Sequence, residues 1–150
     1  MYEAQVVSVL LYNCGCWSAP KDVLAKLDAC HRRHLRRILN IHWPRLIRNC
    51  ELYRQCQAGP ISERVEKARW TLLGHILRMD DNCPPVNAMK FALNSSGLYK
   101  GRRGRPRITL LNTIQGDLKR HGLELNSISD FYSLREVAMN KATWRNMFLE

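Results

Sequence analysis

Between residues 21 and 39 the apolar positions Val23, Leu24, Leu27, Leu35, Ile38 and Leu39 recur at steps of three and four. That spacing winds one apolar stripe along an amphipathic helix. Arg32/Arg36 and Arg33/Arg37 form two adjacent basic columns beside it. The same rhythm returns from Ile61 to Met79, with Ile61, Val65, Ala68, Leu72, Leu73, Ile76 and Met79 as the stripe. The opposite side of this second helix carries Arg64, Lys67, Thr71, His75 and Arg78, so one face is expected to pack and the other to be basic.

Shorter elements fill the rest. Residues 4–13 form an apolar segment too short for periodicity to separate a buried helix from a strand. Trp43-Pro44 breaks the chain, because a residue before proline is pushed out of helical geometry. A short helix is expected from Asn49, as N-cap, to about Gln57, stopped by Gly59-Pro60, and another near Asn87 to Leu93. Asn94-Ser95-Ser96-Gly97 reads as a turn-forming linker. Pro106 suits the first turn of a helix continued by Ile108, Leu110, Leu111, Ile114 and Leu118 to Gly122. Ser133-x-x-Glu136 reads as the capping box of a last helix to about Phe148, with Leu134, Val137, Ala138, Trp144 and Phe148 inward. The expected fold is all-α, a small bundle of five or six helices with connecting basic loops.

Charge adds direction to this picture. Residues 30–107 hold 17 Lys/Arg against 5 Asp/Glu, whereas the remainder holds 7 against 8. The formal net charge of +11 therefore belongs to one continuous middle stretch, and it points to a polyanionic partner. The longest apolar run, residues 6–12, is far below the ~20 residues that span a bilayer, so no membrane partner is expected. The first residues do not read as a signal peptide, and an intracellular location, with the nucleus favoured, is expected.

Candidate chemistry narrows under the same scrutiny. Six cysteines, Cys14, Cys16, Cys30, Cys50, Cys56 and Cys83, are expected as reduced thiols. Cys30 and His34 share a helix face, but no matching ligand pair stands at zinc-knuckle spacing, so no metal and no cofactor are expected. Asp80-Asp81 lies at a helix end beside Pro84-Pro85. It reads as solvated acids in a turn, not as a two-metal pair on a hairpin. No nucleophile with its base is evident, so no catalytic residue and no small-molecule substrate are assigned. Trp17, Trp43, Trp70 and Trp144 are expected in the core, although Trp70 beside Arg69 could face a bound strand.

Three basic segments stand out together. They supply the candidate nucleic-acid contacts Arg32, Arg33, Arg36 and Arg37; Arg64, Lys67, His75 and Arg78; and Lys100, Arg102, Arg103, Arg105 and Arg107. Gly104-Arg105-Pro106 also resembles the core of an AT-hook, which lies in the minor groove, and the same run fits a nuclear import signal.

Five stretches, LLYNCGCW (10–17), CHRRHLRRILNIHW (30–43), RWTLLGHILRMDDN (69–82), GRRGRPRITLL (101–111) and ATWR (142–145), resemble in order and spacing the thumb and post-polymerase region of non-LTR (LINE-type) retrotransposon reverse transcriptases. Cys16 and Asn140-Lys141 depart from the family's pattern, which places an acid before the first tryptophan and an Asp-Arg pair before the last. The resemblance implies a thumb-like helical region over 1–93, a basic linker loop over 94–105, and a C-terminal helical pair over 106–150 packed on the first region. It implies binding of template RNA and primer DNA during target-primed reverse transcription. The catalytic palm and the endonuclease would lie outside this stretch, making the chain a non-catalytic fragment whose further partner is that palm. The alternatives are a structural or interaction remnant without specific nucleic-acid binding, and an AT-hook-like minor-groove binder.

Overall fold

The computed structural model describes residues 1–95 and 108–149. Among these residues the chain is helical without strands, in eight α-helices rather than five or six. The extra helices come from the two ends. A π-helical turn, Glu3–Val7, runs into α1, Ser8–Leu10, and a 3-10 turn follows at Cys14–Cys16. Only Val7 and Cys14 of these side chains are deeply buried, so the apolar segment is half-covered rather than a core helix or strand.

The two periodic stretches become the long helices α2, Lys21–Ile38, and α4, Ile61–Arg78. They pack on each other, and Leu24, Leu27, Leu35 and Leu39 of the α2 stripe turn into the cores, but polar residues share the seam with them. On α2 the buried positions are Asp28, His31 and Leu35, whereas Val23 and Ile38 face solvent. Asp28 accepts hydrogen bonds from the backbone N–H (3.0 Å) and hydroxyl (2.6 Å) of Ser62 in the first turn of α4. Pro60, the N-cap of α4, supplies no side-chain cap, so a carboxylate from the neighbouring helix satisfies that end instead. His31 sits between Tyr2 and Tyr53 with ring centroids 5.7 and 6.2 Å away, and its Nδ1 meets the Tyr2 hydroxyl at 3.0 Å.

Helix α4 is the spine. Its first half, Ile61 and Val65, packs with Val7 and Cys14, and its second half, Trp70, Leu73 and Leu77, enters the main core. That main core also draws on α5 (Pro84–Ser95), α6 (Leu110–Arg120), α7 (Ile128–Met139) and α8 (Lys141–Leu149). A third cluster, Leu35, Ile41 and Leu52, joins α2 to α3, Asn49–Cys56, across the connecting loop. Each fully buried aliphatic or aromatic side chain contributes roughly 1.5–3 kcal/mol.

Glycines on both sides of α4 permit close approach. A Cβ on Gly15 would meet the Ala68 carbonyl oxygen at 2.9 Å, and one on Gly74 would meet Trp144 Nε1 at 2.4 Å. Inside the main core Arg69 and Asp117 form a buried ion pair, with Nε–H to Oδ2 at 2.8 Å and Nη2 to Oδ2 at 2.7 Å. This pair ties α4 to α6, and Arg120 extends it to Glu66 at 3.0 Å.

Several boundaries differ from those expected of the sequence. Helix α5 runs from Pro84 to Ser95 rather than from about Asn87 to Leu93, so Asn94 and Ser95, expected to open the linker, are helical. Helix α6 begins at Leu110, where Thr109 Oγ1 accepts from Asn112 N at 3.2 Å, and Ile108, expected to continue the helix, is exposed ahead of it; Pro106 lies outside the described residues. Helix α3 takes Arg48 as N-cap, and Asn49 is its first residue. The last helix is two helices, and the operative capping box is Ser127 with Asp130. Ser133 lies within α7, its hydroxyl turned back onto the Ser129 carbonyl. Burying both Phe131 and Leu134 requires a helix that starts before Ser133. At Asn140 the chain turns, and the Asn140 side chain accepts from the N–H groups of Ala142 (3.1 Å) and Thr143 (3.2 Å) to cap α8. Phe148, expected inward, lies outside the described side chains.

Candidate nucleic-acid interface

The candidate contacts fall into separate neighbourhoods. On α2, Arg32 donates to the Tyr53 hydroxyl (3.4 Å) and Arg36 to Asn49 Oδ1 (2.6 Å), so this column leans on α3 through neutral partners. Arg33 and Arg37 are exposed beside it. No Asp or Glu occurs from residue 29 to residue 50, a stretch that also holds Arg45 and Arg48. Among the described residues no ion pair engages any of these six arginines. Arg32 and Arg36 are hydrogen-bonded and positioned, and the charge of none of the six is neutralised by an ion pair.

The basic positions of α4 behave differently. Arg64 pairs with Glu3 at 2.6 Å, which removes much of its charge from the field. Lys67 and His75 are exposed on the same helix. Arg78 donates to the Ala138 carbonyl at 3.1 Å, satisfying an orphan acceptor in the last turn of α7. Fourteen residues of helix separate Arg64 from Arg78, about 21 Å, so the α4 positions form a stripe rather than a single site. Beside its lower end Arg78 joins Lys141, Arg145, Trp70, Thr71 and Trp144 around a cavity of about 110 Å3. Lys100, Arg102, Arg103, Arg105 and Arg107 lie outside the described residues.

The tryptophans divide. Trp70 and Trp144 are buried core residues in edge-to-face contact, centroids 6.1 Å apart, and Trp144 Nε1–H donates to the Trp70 carbonyl at 3.2 Å. Trp70 is therefore no platform for a bound strand. Trp43 was expected inside and is 86% exposed. Asp81 is also more than a solvated acid: Lys90 meets it at 3.0 Å and Arg135 bonds it as well, while the Lys90 ammonium also reaches the Tyr132 hydroxyl at 2.8 Å. Hydrogen bonds from Lys90 and Arg135 hold the Asp81 carboxyl below its ordinary range. Those two cations are thus spent on structure.

Other titratable groups serve packing. Burial pushes the Cys14 and Cys56 thiols up, away from thiolate character, and all six cysteines are free. Cys30 Sγ and His34 Nδ1 do share a face of α2, 3.8 Å apart. Among the described residues no three metal-ligating side chains converge, and no helix is long and apolar enough to cross a membrane.

Arg45 and Arg48 escaped the motif reading, and so did Trp43 as a surface residue. The signal that could have found them is the acid-free run from 29 to 50, which continues the α2 charge through the loop. No family model, curated protein or solved structure matches the chain.

Proposed function

We propose that this chain is a sequence-tolerant nucleic-acid-binding module, the helical post-polymerase region of a non-LTR retrotransposon reverse transcriptase, that grips phosphate backbones of template RNA and primer DNA. The supporting observation is the set of six arginines on α2 and its following loop, two of them, Arg32 and Arg36, held by Tyr53 and Asn49, and all six opposed by no acid in the surrounding 22 positions. Backbone binding needs this kind of surface, because each arginine that neutralises a phosphate releases condensed counterions. The retroelement origin draws support from the resembling stretches: LLYNCGCW meets RWTLLGHILR at Gly15, and ATWR meets it at Gly74, so they belong to one packed unit. The proposal assigns grip, not catalysis, to the chain.

Its test is the salt dependence of binding to single-stranded RNA and to duplex DNA. Replacing Arg33, Arg37, Arg45 and Arg48 with serine should lower the slope of log affinity against log salt by about 0.7 per lost contact on single strands and about 0.9 on duplex. An unchanged slope and affinity would overturn the reading. A second reading, an interaction remnant that docks a polypeptide, draws on Val6, Val9 and Leu10, which are 46%, 73% and 40% exposed along one short helical segment. It predicts that polar substitutions there reduce association with that polypeptide, and that the parent chain shows no specific binding to either nucleic acid.

A further inference from the structure

The loop between α2 and α3 is tied down at both ends. Ile41 is buried and donates its backbone N–H to the Arg36 carbonyl at 2.8 Å, Ile47 packs on the same cluster of Leu35 and Leu52, and Arg36 bridges to Asn49. Between these anchors a turn closes from Arg45 N to the His42 carbonyl at 2.9 Å, and His42 is braced by Asn40 Oδ1 at 3.1 Å. What the turn presents outward is Trp43 and Leu46, each 86% exposed.

A tryptophan costs free energy when it faces water, and this one lies in an acid-free stretch of chain, 29–50, whose exposed cations include Arg33 and Arg37 at the end of α2 and Arg45 and Arg48 in the loop itself. We infer that Trp43 is a stacking platform for an unpaired base of single-stranded nucleic acid, with Leu46 flanking it and the surrounding arginines holding the phosphates on either side. The inference rests on the backbone-binding function proposed above and adds strand selectivity to it. A duplex hides its base faces, whereas a single strand offers a π-face at every nucleotide whatever its sequence. An anionic membrane would also attract the arginines. Interfacial binding, however, scales with the apolar area inserted, and in the last two turns of α2 the exposed residues are Arg33, Arg37 and Ile38, which offer little apolar area beside the loop.

The experiment compares the full chain with W43A and W43F on an oligo-dT single strand and on a blunt hairpin duplex at one salt concentration, with tryptophan fluorescence as a second readout. Trp43 is 86% exposed, so both variants should keep the thermal midpoint of the parent. W43A should bind the single strand ~5- to 150-fold more weakly, and W43F should recover most of that loss. Duplex affinity and both salt slopes should stay at the parental values, since no charge is removed. Oligo-dT should quench the fluorescence of the parent and not that of W43F. Equal single-strand affinity for parent and W43A overturns the stacking role while leaving backbone binding intact. Absence of salt-sensitive binding to either oligonucleotide overturns both. Quenching by phosphatidylserine vesicles without quenching by oligo-dT replaces the base with a lipid surface and overturns the inference.

Discussion

Gly74→Ala and Gly116→Ala are the same chemical change in two helices, and the structure predicts opposite outcomes. Both positions lie inside helices, α4 and α6, where alanine is favoured over glycine by about 1 kcal/mol. At Gly116 a Cβ would have no heavy atom within 4 Å, so the helical preference acts alone. That variant should gain ~0.5–1 kcal/mol. At Gly74 the Cβ would stand 2.4, 2.8 and 3.0 Å from three atoms of the Trp144 indole. Ordinary contact begins at 3.4 Å, so the ring would have to retreat by about 3.4 − 2.4 = 1.0 Å. The ring is 4% exposed and hydrogen-bonded to the Trp70 carbonyl at 3.2 Å, so retreating, even toward the adjoining cavity, disturbs that bond and its packing. Overpacking costs about 1–3 kcal/mol, and outright expulsion of a buried aromatic about 3–5. After subtracting the helical gain of about 1 kcal/mol, a net loss of up to roughly 4 kcal/mol is expected. Thermal unfolding followed by far-UV circular dichroism should show Gly116→Ala raised and Gly74→Ala lowered, by about 2–4 °C per kcal/mol for a chain of this size. If Gly74→Ala rises together with Gly116→Ala, Trp144 does not cover Gly74 and the seating of α8 on α4 is wrong.

The buried Arg69–Asp117 pair makes a second expectation. Asp117→Ala would strand a guanidinium on a residue that is 3% exposed and should cost about 3–5 kcal/mol in urea unfolding, whereas Arg69→Met combined with Asp117→Leu should cost far less. A double variant as unstable as the single would refute the pairing. His31 supplies a third. Burial holds its pKa below the ordinary 6.5, so on acidification the unfolded chain takes up the proton first and stability falls as pH drops through 6.5 toward the folded value. Thermal midpoints between roughly pH 5 and 7.5 should therefore decline on the acid side in the parent and flatten in His31→Gln. The depressed carboxyls of Asp81 and Asp130 act in a separate window, their contribution being lost only as pH falls from near 3.8 downward. An unaltered profile in His31→Gln would assign the acid sensitivity elsewhere.

Helix identity was legible in the chain, because a stripe at three- and four-residue spacing can be buried only by a helix. Ile61, Val65 and Leu73 on α4 and Ile114 and Leu118 on α6 went where their periodicity put them. The concentration of positive charge between residues 30 and 107 was equally a property of the sequence. Partnering was not. Which arginines keep their charge free depends on residues far away in the chain: Glu3 reaches Arg64 from 61 positions away, and Asp117 reaches Arg69 from 48. Asp28 and His31 occupy a seam that hydropathy assigns to apolar residues, and only Ser62, Tyr2 and Tyr53 make their burial tolerable. Ser127-x-x-Asp130 and Ser133-x-x-Glu136 are near-equivalent as strings, and the need to bury Phe131 decided between them. Trp43 and Trp144 carry the same side chain, yet one faces water and the other fills the space left by a glycine in another helix. Local sequence sets the element, its period and its charge, since these depend on neighbours a few residues apart. Tertiary packing alone decides which charges and which aromatic rings remain for a partner, since that depends on what each face meets.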